Sequence, residues 1–284
     1  SPNDGVVSSG NFREATVGSQ IQLLGDKVYT TTTTDTYYLW IWLDSAETSL
    51  STINQSFSLS LGGICSESKS YETILLNDNV AVDLPNRLIP ITLDNDGTVK
   101  TASKDNTWAN YSNRQWANAV MVKESGNNTR EYYRNNIGVE VSKDDILAYY
   151  VYVPRYKYKI WTTSTSSSGS EQEIEIIFEN KNTAKSTGTK VGEYITHPAF
   201  TFDNTELNGI WVGKFETTGS PTAPTIKPNV QSLRSQTVSA QFKTAKIFET
   251  STYGLTTNID AHMMMNSEWG AAAYLSHSKY GRCI

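Results

Sequence analysis

The segment Tyr37–Asp44 restricts the fold of this chain more than any other stretch of its sequence. Successive side chains of a β-strand point to opposite faces, so this segment would place Trp40 and Trp42 on one face and Leu39 and Ile41 on the other. Both faces are apolar. We therefore expect a central strand that is covered on both sides, which requires a layered, β-rich architecture.

Several other segments carry the period of two that is typical of a strand with one buried face. Gln55–Leu61 alternates serine with phenylalanine and leucine, and Glu173–Glu179 alternates glutamate with isoleucine and phenylalanine. Leu88–Leu93 is followed by an Asp- and Gly-rich turn and by a return strand over 98–101, which predicts a hairpin. Ile210–Thr217 is a further predicted strand.

Residues 145–161 are strongly apolar and aromatic but are interrupted by Pro154, which marks the end of a strand or a bulge. Arg155–Lys159 then alternates basic with aromatic residues. This pattern is compatible with a nucleic-acid stripe or with an edge strand whose exposed face carries charge. The chain has 24 Lys and Arg against 29 Asp and Glu, with no run of one sign. We therefore favour the edge strand, and nucleic acid is not an expected partner.

Only the last quarter of the chain has helical periodicity. Ser239–Glu249 has apolar residues three and four positions apart, and a second helix is predicted from about Ser267 to Ser278, with Asn266 as its N-cap. In this second helix we expect Trp269 and Leu275 to face inward. The predicted fold class is thus α+β and mostly β.

The composition favours a secreted or surface-exposed protein. The chain has 16 Tyr and 7 Trp but only 2 Cys and 4 Met, and β-branched and aromatic residues suit pleated, half-buried surfaces. No segment approaches the ~20 apolar residues of a membrane-spanning helix, so membrane insertion is not expected. The chain opens in a polar coil without a signal peptide, which we expect to have been removed or to lie outside these residues. Cys65 and Cys283 are either two isolated thiols or a disulfide pair.

The turn at 94–97 is the one place where the sequence suggests a metal. On a calcium-binding EF-hand loop, Asp94, Asp96 and Gly97 would take the third, fifth and sixth positions. The first and twelfth positions would then fall on Thr92 and Ser103, so both strong end ligands are missing. We therefore interpret this turn as an ordinary hairpin turn, with calcium as the alternative, and expect no cofactor.

Motifs that would indicate catalysis are missing from the sequence. The histidines His197, His262 and His277 have no zinc-ligand spacing, and neither a nucleophile elbow nor a phosphate-binding glycine loop occurs. Glu173 and Glu175 share one strand face, which predicts a solvated surface and not a cleft. The sequence therefore predicts a protein that is not an enzyme.

The tryptophans are the remaining candidates for ligand binding, because aromatic platforms bind sugars and peptides. Trp108 and Trp116 lie in irregular chain, so we expect them to be exposed and name them as candidate ligand-binding residues. The tryptophans in regular elements are predicted to be core residues: Trp40, Trp42, Trp211 and Trp269. The loops 162–170 and 219–228 are the expected ligand-contacting loops.

Two stretches of the last third resemble a known family. Ile210–Thr218, "IWVGKFETT", resembles the "IGKYEVT" strand of the formylglycine-generating-enzyme (sulfatase-modifying-factor) family, and Ser267–Ala272, "SEWGAA", resembles its "EAEWEYAA" helix. The resemblance implies a C-type-lectin-like fold. Met263–Met265 replaces the Leu-Pro-Thr that precedes this helix in the family. The family's "DMSGNVWEW"-like segment, catalytic cysteines and copper ligands have no counterparts here, so no catalytic role is implied for any residue.

Blocks such as "WANAV", "THPAFTF" and "ELNGIWVGKFETT" resemble stretches of large secreted surface proteins of gut Firmicutes, and "TYYLWIWLD" is similar to a strand of the TasA/camelysin type of β-sandwich. These resemblances imply a partial β-sandwich over 1–66, a linker or edge element over 67–85, and an α+β lectin-like domain over 86–284 that is incomplete at its C-terminus.

Three functions are compatible with these expectations. The first is an extracellular surface protein that acts in adhesion or recognition of a glycan or protein ligand. The second is a structural subunit of a surface fibre, which would self-associate through an open β edge. The third is a remnant of a formylglycine-generating-enzyme-like oxidase.

Overall fold

The computed structural model describes residues 71–124, 126, 128–160, 174–255 and 259–281, all of which belong to the compact unit Lys69–Ile284. The predicted strands Tyr37–Asp44 and Gln55–Leu61, and with them the predicted partial sandwich, lie outside the described residues.

The regular secondary structure of the described residues is mostly β-strand, in antiparallel sheets, with few helices. The strands are β1 Tyr71–Leu75, β2 Ala81–Pro85, β3 Leu88–Leu93, β4 Val99–Thr101, β5 Asn118–Val122, β6 Ile146–Pro154, β7 Tyr156–Lys159, β8 Glu175–Phe178, β9 Ile195–Thr196, β10 Thr201–Phe202, β11 Thr205–Glu206, β12 Gly209–Gly213, β13 Thr218–Ser220 and β14 Ala223–Thr225. The α-helices are α1 Arg130–Asn135, α2 Val238–Lys246 and α3 Asn266–Ser276. The predicted α+β, mostly β class is confirmed.

The largest sheet has five strands in the order β12-β6-β5-β3-β4, and β6 is its longest strand. Tyr150 and Tyr152 of β6 pack in the larger of two apolar cores, while Tyr149 packs in the smaller core on the other side. This burial on both sides follows from the continuous apolar run of the strand. As predicted, β3 and β4 form a hairpin and β6 ends at Pro154.

The segment predicted as a linker or edge element contains a hairpin, because β1 pairs with β2. Val82 and Leu84 of this hairpin are fully buried in the larger core, and the Tyr152 hydroxyl donates a hydrogen bond to the Ala81 carbonyl at 3.0 Å. The compact unit accordingly starts at Lys69, before the predicted domain start at residue 86.

The edge-strand prediction for Arg155–Lys159 is wrong. Strand β7 lies in the middle of a three-stranded sheet of order β8-β7-β9. Tyr156 and Tyr158 point into the larger core, and Arg155 is fully buried between two glutamates. Charged and apolar residues can alternate in the same way along an edge strand and along a central strand, so the sequence pattern did not distinguish these two positions in a sheet.

Both predicted helices are present. Helix α2 begins after Thr237, whose hydroxyl accepts a hydrogen bond from the Ala240 amide at 3.2 Å, and it continues into a short 3-10 helix at Ile247–Glu249. In α3 the N-cap is Met265, whose amide donates a hydrogen bond to the Glu268 carboxylate at 2.8 Å. Asn266, which was predicted to be the N-cap, is the first helical residue. No helix among the described residues is long and apolar enough to cross a membrane.

Candidate functional site

A group of large apolar side chains is exposed around the start of α3. Trp269 is 66% exposed, Met264 43%, Met265 40% and Phe202 39%. We call these four residues the Trp269 surface. Scattered single apolar residues are ordinary on a protein surface, whereas an aromatic and methionine group around a charged centre is a feature of binding sites.

The charged centre of the Trp269 surface is His262. Its Nε2 atom lies 3.0 Å from Oε1 of Glu268, and its Nδ1 atom lies 3.0 Å from Oδ2 of Asp260. The Phe202 ring packs against the imidazole with the ring centres 5.5 Å apart. The hydrogen bond to Glu268, above all, raises the pKa of His262 to about 9, so the imidazole is a cation at neutral pH.

The segment that carries the two methionines is held to α2 by a second cation. Lys246 Nζ lies 2.6 Å from Asp260 Oδ1 and 3.0 Å from Glu249 Oε1, and the amide of Ala261 donates to Glu249 Oε1 at 2.7 Å. The two cations, His262 and Lys246, thus neutralise most of the charge of three carboxylates. A ligand would therefore meet mainly apolar contact area around a polar centre of small net charge.

The buried face of helix α3 packs against a buried aromatic cluster around His197. The Tyr156 hydroxyl donates to the Ala271 carbonyl at 2.7 Å, and the rings of His197 and Tyr274 lie edge to face with centres 5.5 Å apart. Ala271 and Leu275 complete the buried face of α3. Trp269 therefore lies on a helix whose opposite face is fixed, which keeps the position of its side chain preorganised.

We expect this cluster to be sensitive to acid. His197 is buried, and burial lowers its pKa to about 4 from the usual 6.5. The unfolded chain would therefore bind a proton between pH 6.5 and 4 that the folded chain does not, so stability falls as the pH drops through this window, by about 2 to 3 kcal/mol in total. Urea unfolding at a series of pH values measures this loss.

The variant His197→Asn is the control for that experiment. His197 Nδ1 accepts a hydrogen bond from the Ala199 amide at 3.3 Å, and an asparagine oxygen can replace this acceptor without titrating. Between pH 6.5 and 4 the variant should lose less stability than the wild type. An equal loss in both proteins would show that His197 does not cause the acid sensitivity.

The structure places the two predicted ligand-binding tryptophans elsewhere. Trp108 is only 1% exposed, its indole N–H donates to the Asn118 carbonyl at 2.8 Å, and its ring stacks on Trp211. The prediction that Trp108 is exposed is therefore wrong. Trp116 is half-buried, and its indole N–H donates to the Tyr280 carbonyl at 2.9 Å. Neither residue belongs to the Trp269 surface.

Trp269 itself was predicted to lie in the core, and this prediction is also wrong. The inward-facing stripe of α3 runs through Glu268, Ala271 and Leu275, which puts Trp269 on the outside. The spacing between Trp269 and Leu275 is six residues, which is not a same-face spacing on a helix. The buried pair Ala271 and Leu275, four apart, was the signal that could have set the helical phase correctly.

The predicted ligand loops are not part of this site either. Loop 162–170 lies outside the described residues. Most of 219–228 is the hairpin of β13 and β14, in which Pro224 is buried and its carbonyl accepts a hydrogen bond from the Tyr253 hydroxyl at 2.7 Å. The expectation of an irregular loop at this position is corrected by this pairing.

In the turn considered for calcium, both carboxylates have protein partners. Asp94 pairs with Lys100 at 2.7 Å, and Asp96 accepts from the amide of Thr98 at 2.9 Å. No group of three or more His, Cys, Asp or Glu side chains in the described part of the chain is arranged to hold a metal ion. Cys65 and Cys283 lie outside the described residues.

A second polar centre is buried and was missed by the sequence reasoning. Arg155 Nε donates to Glu179 Oε1 at 3.1 Å, and Nη1 lies 2.6 Å from Glu206 Oε2. The Thr196 hydroxyl donates to the same Glu179 oxygen at 2.8 Å. Arg155 and Glu179 are both buried, so this network joins β7 to its neighbours in the interior of the fold.

Comparison of the chain with protein-family models, with curated proteins and with solved structures found no match. A function for this chain therefore has to be inferred from the geometry of the Trp269 surface itself.

Proposed function

We propose that this chain is part of an extracellular surface protein that acts in adhesion or ligand recognition, and that the Trp269 surface contacts the ligand. The observation that carries the proposal is the exposure of Trp269, Met264, Met265 and Phe202 around the His262–Glu268 pair. The extracellular location is supported by the composition, which is rich in Tyr and Trp and poor in Cys.

The chemistry of the Trp269 surface favours a protein ligand over a glycan. Tryptophan supplies a large, rigid contact area, and it is the residue type most enriched among binding hot spots. Methionine is flexible and polarizable, and it is over-used at surfaces that adapt to other proteins. A glycan would use the Trp269 ring as a stacking platform with Glu268 or His262 as hydrogen-bonding groups, but it would leave the two exposed methionines without a role.

The change Trp269→Ala should reduce ligand binding at least tenfold, because a central hot-spot residue contributes about 2 kcal/mol or more. The measurement is binding of the full chain to a peptide array and to a glycan array, followed by titration of the strongest binder. Phe242→Ala is the matched control, since Phe242 is an exposed aromatic residue on α2 with 51% exposure. This variant should bind like the wild type.

Three outcomes are informative. The proposal is supported if Trp269→Ala loses peptide binding and Phe242→Ala does not. If Trp269→Ala loses glycan binding instead, the Trp269 surface remains the proposed binding site, but its ligand is a glycan. Equal binding by the wild type and both variants, or background binding by the wild type on both arrays, would overturn the proposal.

The fibre-subunit and oxidase alternatives gain no support from a specific contact among the described residues. The fibre hypothesis depends on an open edge within 1–66, which lies outside them. The oxidase hypothesis requires catalytic cysteines and copper ligands, and the residues that carry the family resemblance include none of them.

A further inference from the structure

Three arginines converge at the junction between the β2–β3 turn and α1. Arg87 lies in the turn, and Arg130 and Arg134 lie one helical turn apart on α1. The Nη1 atoms of Arg87 and Arg130 both donate to the same oxygen, Oε1 of Glu124. Arg134 Nη1 donates to the carbonyl of Asn86, next to Arg87.

The carboxylates at this junction do not balance the cations. Glu124 is shared by Arg87 and Arg130, and among the described side chains the carboxylate that Arg134 reaches is Glu72, whose Oε1 lies 3.5 Å away. That Glu72 oxygen is also held by Lys104 at 2.6 Å. The described side chains here thus supply four cations for two carboxylates. At Arg130, burial first and the charge of Arg87 next lower the pKa of the guanidinium.

Arg130 also has a hydrogen-bond donor that no acceptor among the described residues uses. Its side chain is only 8% exposed, and while Nη2 donates to the Val122 carbonyl at 3.2 Å, Nε has no partner among the described groups. A buried N–H without an acceptor costs about 1 to 3 kcal/mol. Arg87 and Glu124 are more exposed, with 34% and 53% of their side chains accessible, so the Glu124 carboxylate can leave its place without unfolding the chain.

We propose that Arg87, Arg130 and Arg134 form an oxyanion-binding site in which a sulfate, phosphate or carboxylate group of a ligand takes the place of the Glu124 carboxylate. Guanidinium groups bind such groups through paired N–H donors, and an oxyanion with three or four oxygens can satisfy more of these donors than one carboxylate oxygen does. The site shares no residue with the Trp269 surface, so it goes beyond the proposed function and does not depend on it.

Titration calorimetry of the full chain tests this site. The probes are sodium sulfate, sodium phosphate and sodium acetate, the ionic strength is held constant with sodium chloride, and a titration with sodium chloride alone is the blank. The wild type should bind at least one of the three saturably, and the probe that binds tightest identifies the ligand group. Arg87→Gln should weaken that binding about tenfold, because it removes a charge-assisted hydrogen bond. Lys100→Gln, a change in a cation that pairs with Asp94, should leave it unchanged.

Glu124→Gln is the decisive variant. It removes the competing charge, so binding of the preferred anion should tighten about tenfold relative to the wild type. If the variant is less stable, the same anion should restore its melting temperature more than it raises that of the wild type. The proposal is overturned if no probe binds saturably to either protein, or if binding is the same in the wild type, Arg87→Gln and Glu124→Gln.

Discussion

Replacing Arg155 with methionine is expected to lower the free energy of unfolding by about 3 to 5 kcal/mol, the usual effect of removing one partner from a buried ion pair. Arg155 and Glu179 are both buried, and Arg155 also holds Glu206 and the Phe200 carbonyl. Without the guanidinium, the Glu179 carboxylate would be left charged in the interior. Urea unfolding followed by circular dichroism measures the loss.

Two further variants separate this effect from a general weakness of β7. Lys157→Met changes a half-exposed cation on the same strand and should cost less than about 1 kcal/mol. The double variant Arg155→Met with Glu179→Gln should be more stable than Arg155→Met alone, because the unpaired charge is gone while an acceptor for the Thr196 hydroxyl remains. A loss below about 1 kcal/mol in Arg155→Met would contradict the account of this network.

Replacing Trp108 with alanine is expected to cost about 3 to 5 kcal/mol, the range for deleting a large buried aromatic side chain. Trp108 fills the larger core beneath β12, where its ring stacks on Trp211 with the ring centres 6.4 Å apart. The change also leaves the Asn118 carbonyl without the indole N–H. Thermal unfolding should show a clearly lower melting temperature.

Trp269→Ala is the matched comparison, because the same substitution is made at an exposed tryptophan. Its effect on stability should stay within about 0.5 kcal/mol, while its effect on ligand binding should be large. Trp108→Ala should instead be much less stable than the wild type, but at a temperature at which it remains folded it should bind the ligand like the wild type. If Trp108→Ala instead abolished binding without loss of stability, Trp108 would be a ligand-binding residue after all.

The periodic elements of this unit could be predicted from sequence because the residues that define each element are close together in the chain. The β3–β4 hairpin follows from an apolar run, a turn with Gly97 and a return strand, and the end of β6 follows from Pro154. The presence of helices α2 and α3 follows from apolar spacing within a dozen residues, although the buried face predicted for α3 was wrong at Trp269. Each of these elements is determined by neighbours in the chain.

The errors at Arg155 and Trp108 arise where the deciding partner is distant in the sequence. Arg155 is buried because Glu179 and Glu206 meet it, and nothing in the alternation of residues 155–159 indicates those partners. Trp108 lies in irregular chain, yet it is covered by β12 more than a hundred residues later. The Trp269 surface likewise depends on Phe202 reaching His262 from another part of the fold.

The central claim is that Trp269, and not Trp108, presents its indole to a ligand. Hydroxyl-radical footprinting of the full chain with mass spectrometry tests it at single-residue level, because exposed tryptophan and methionine side chains oxidise readily. In the free protein Trp269, Met264 and Met265 should be oxidised faster than Trp108, and the strongest array ligand should slow their oxidation. Slow oxidation of Trp269 in the free protein, or protection confined to other residues in the complex, would contradict the claim.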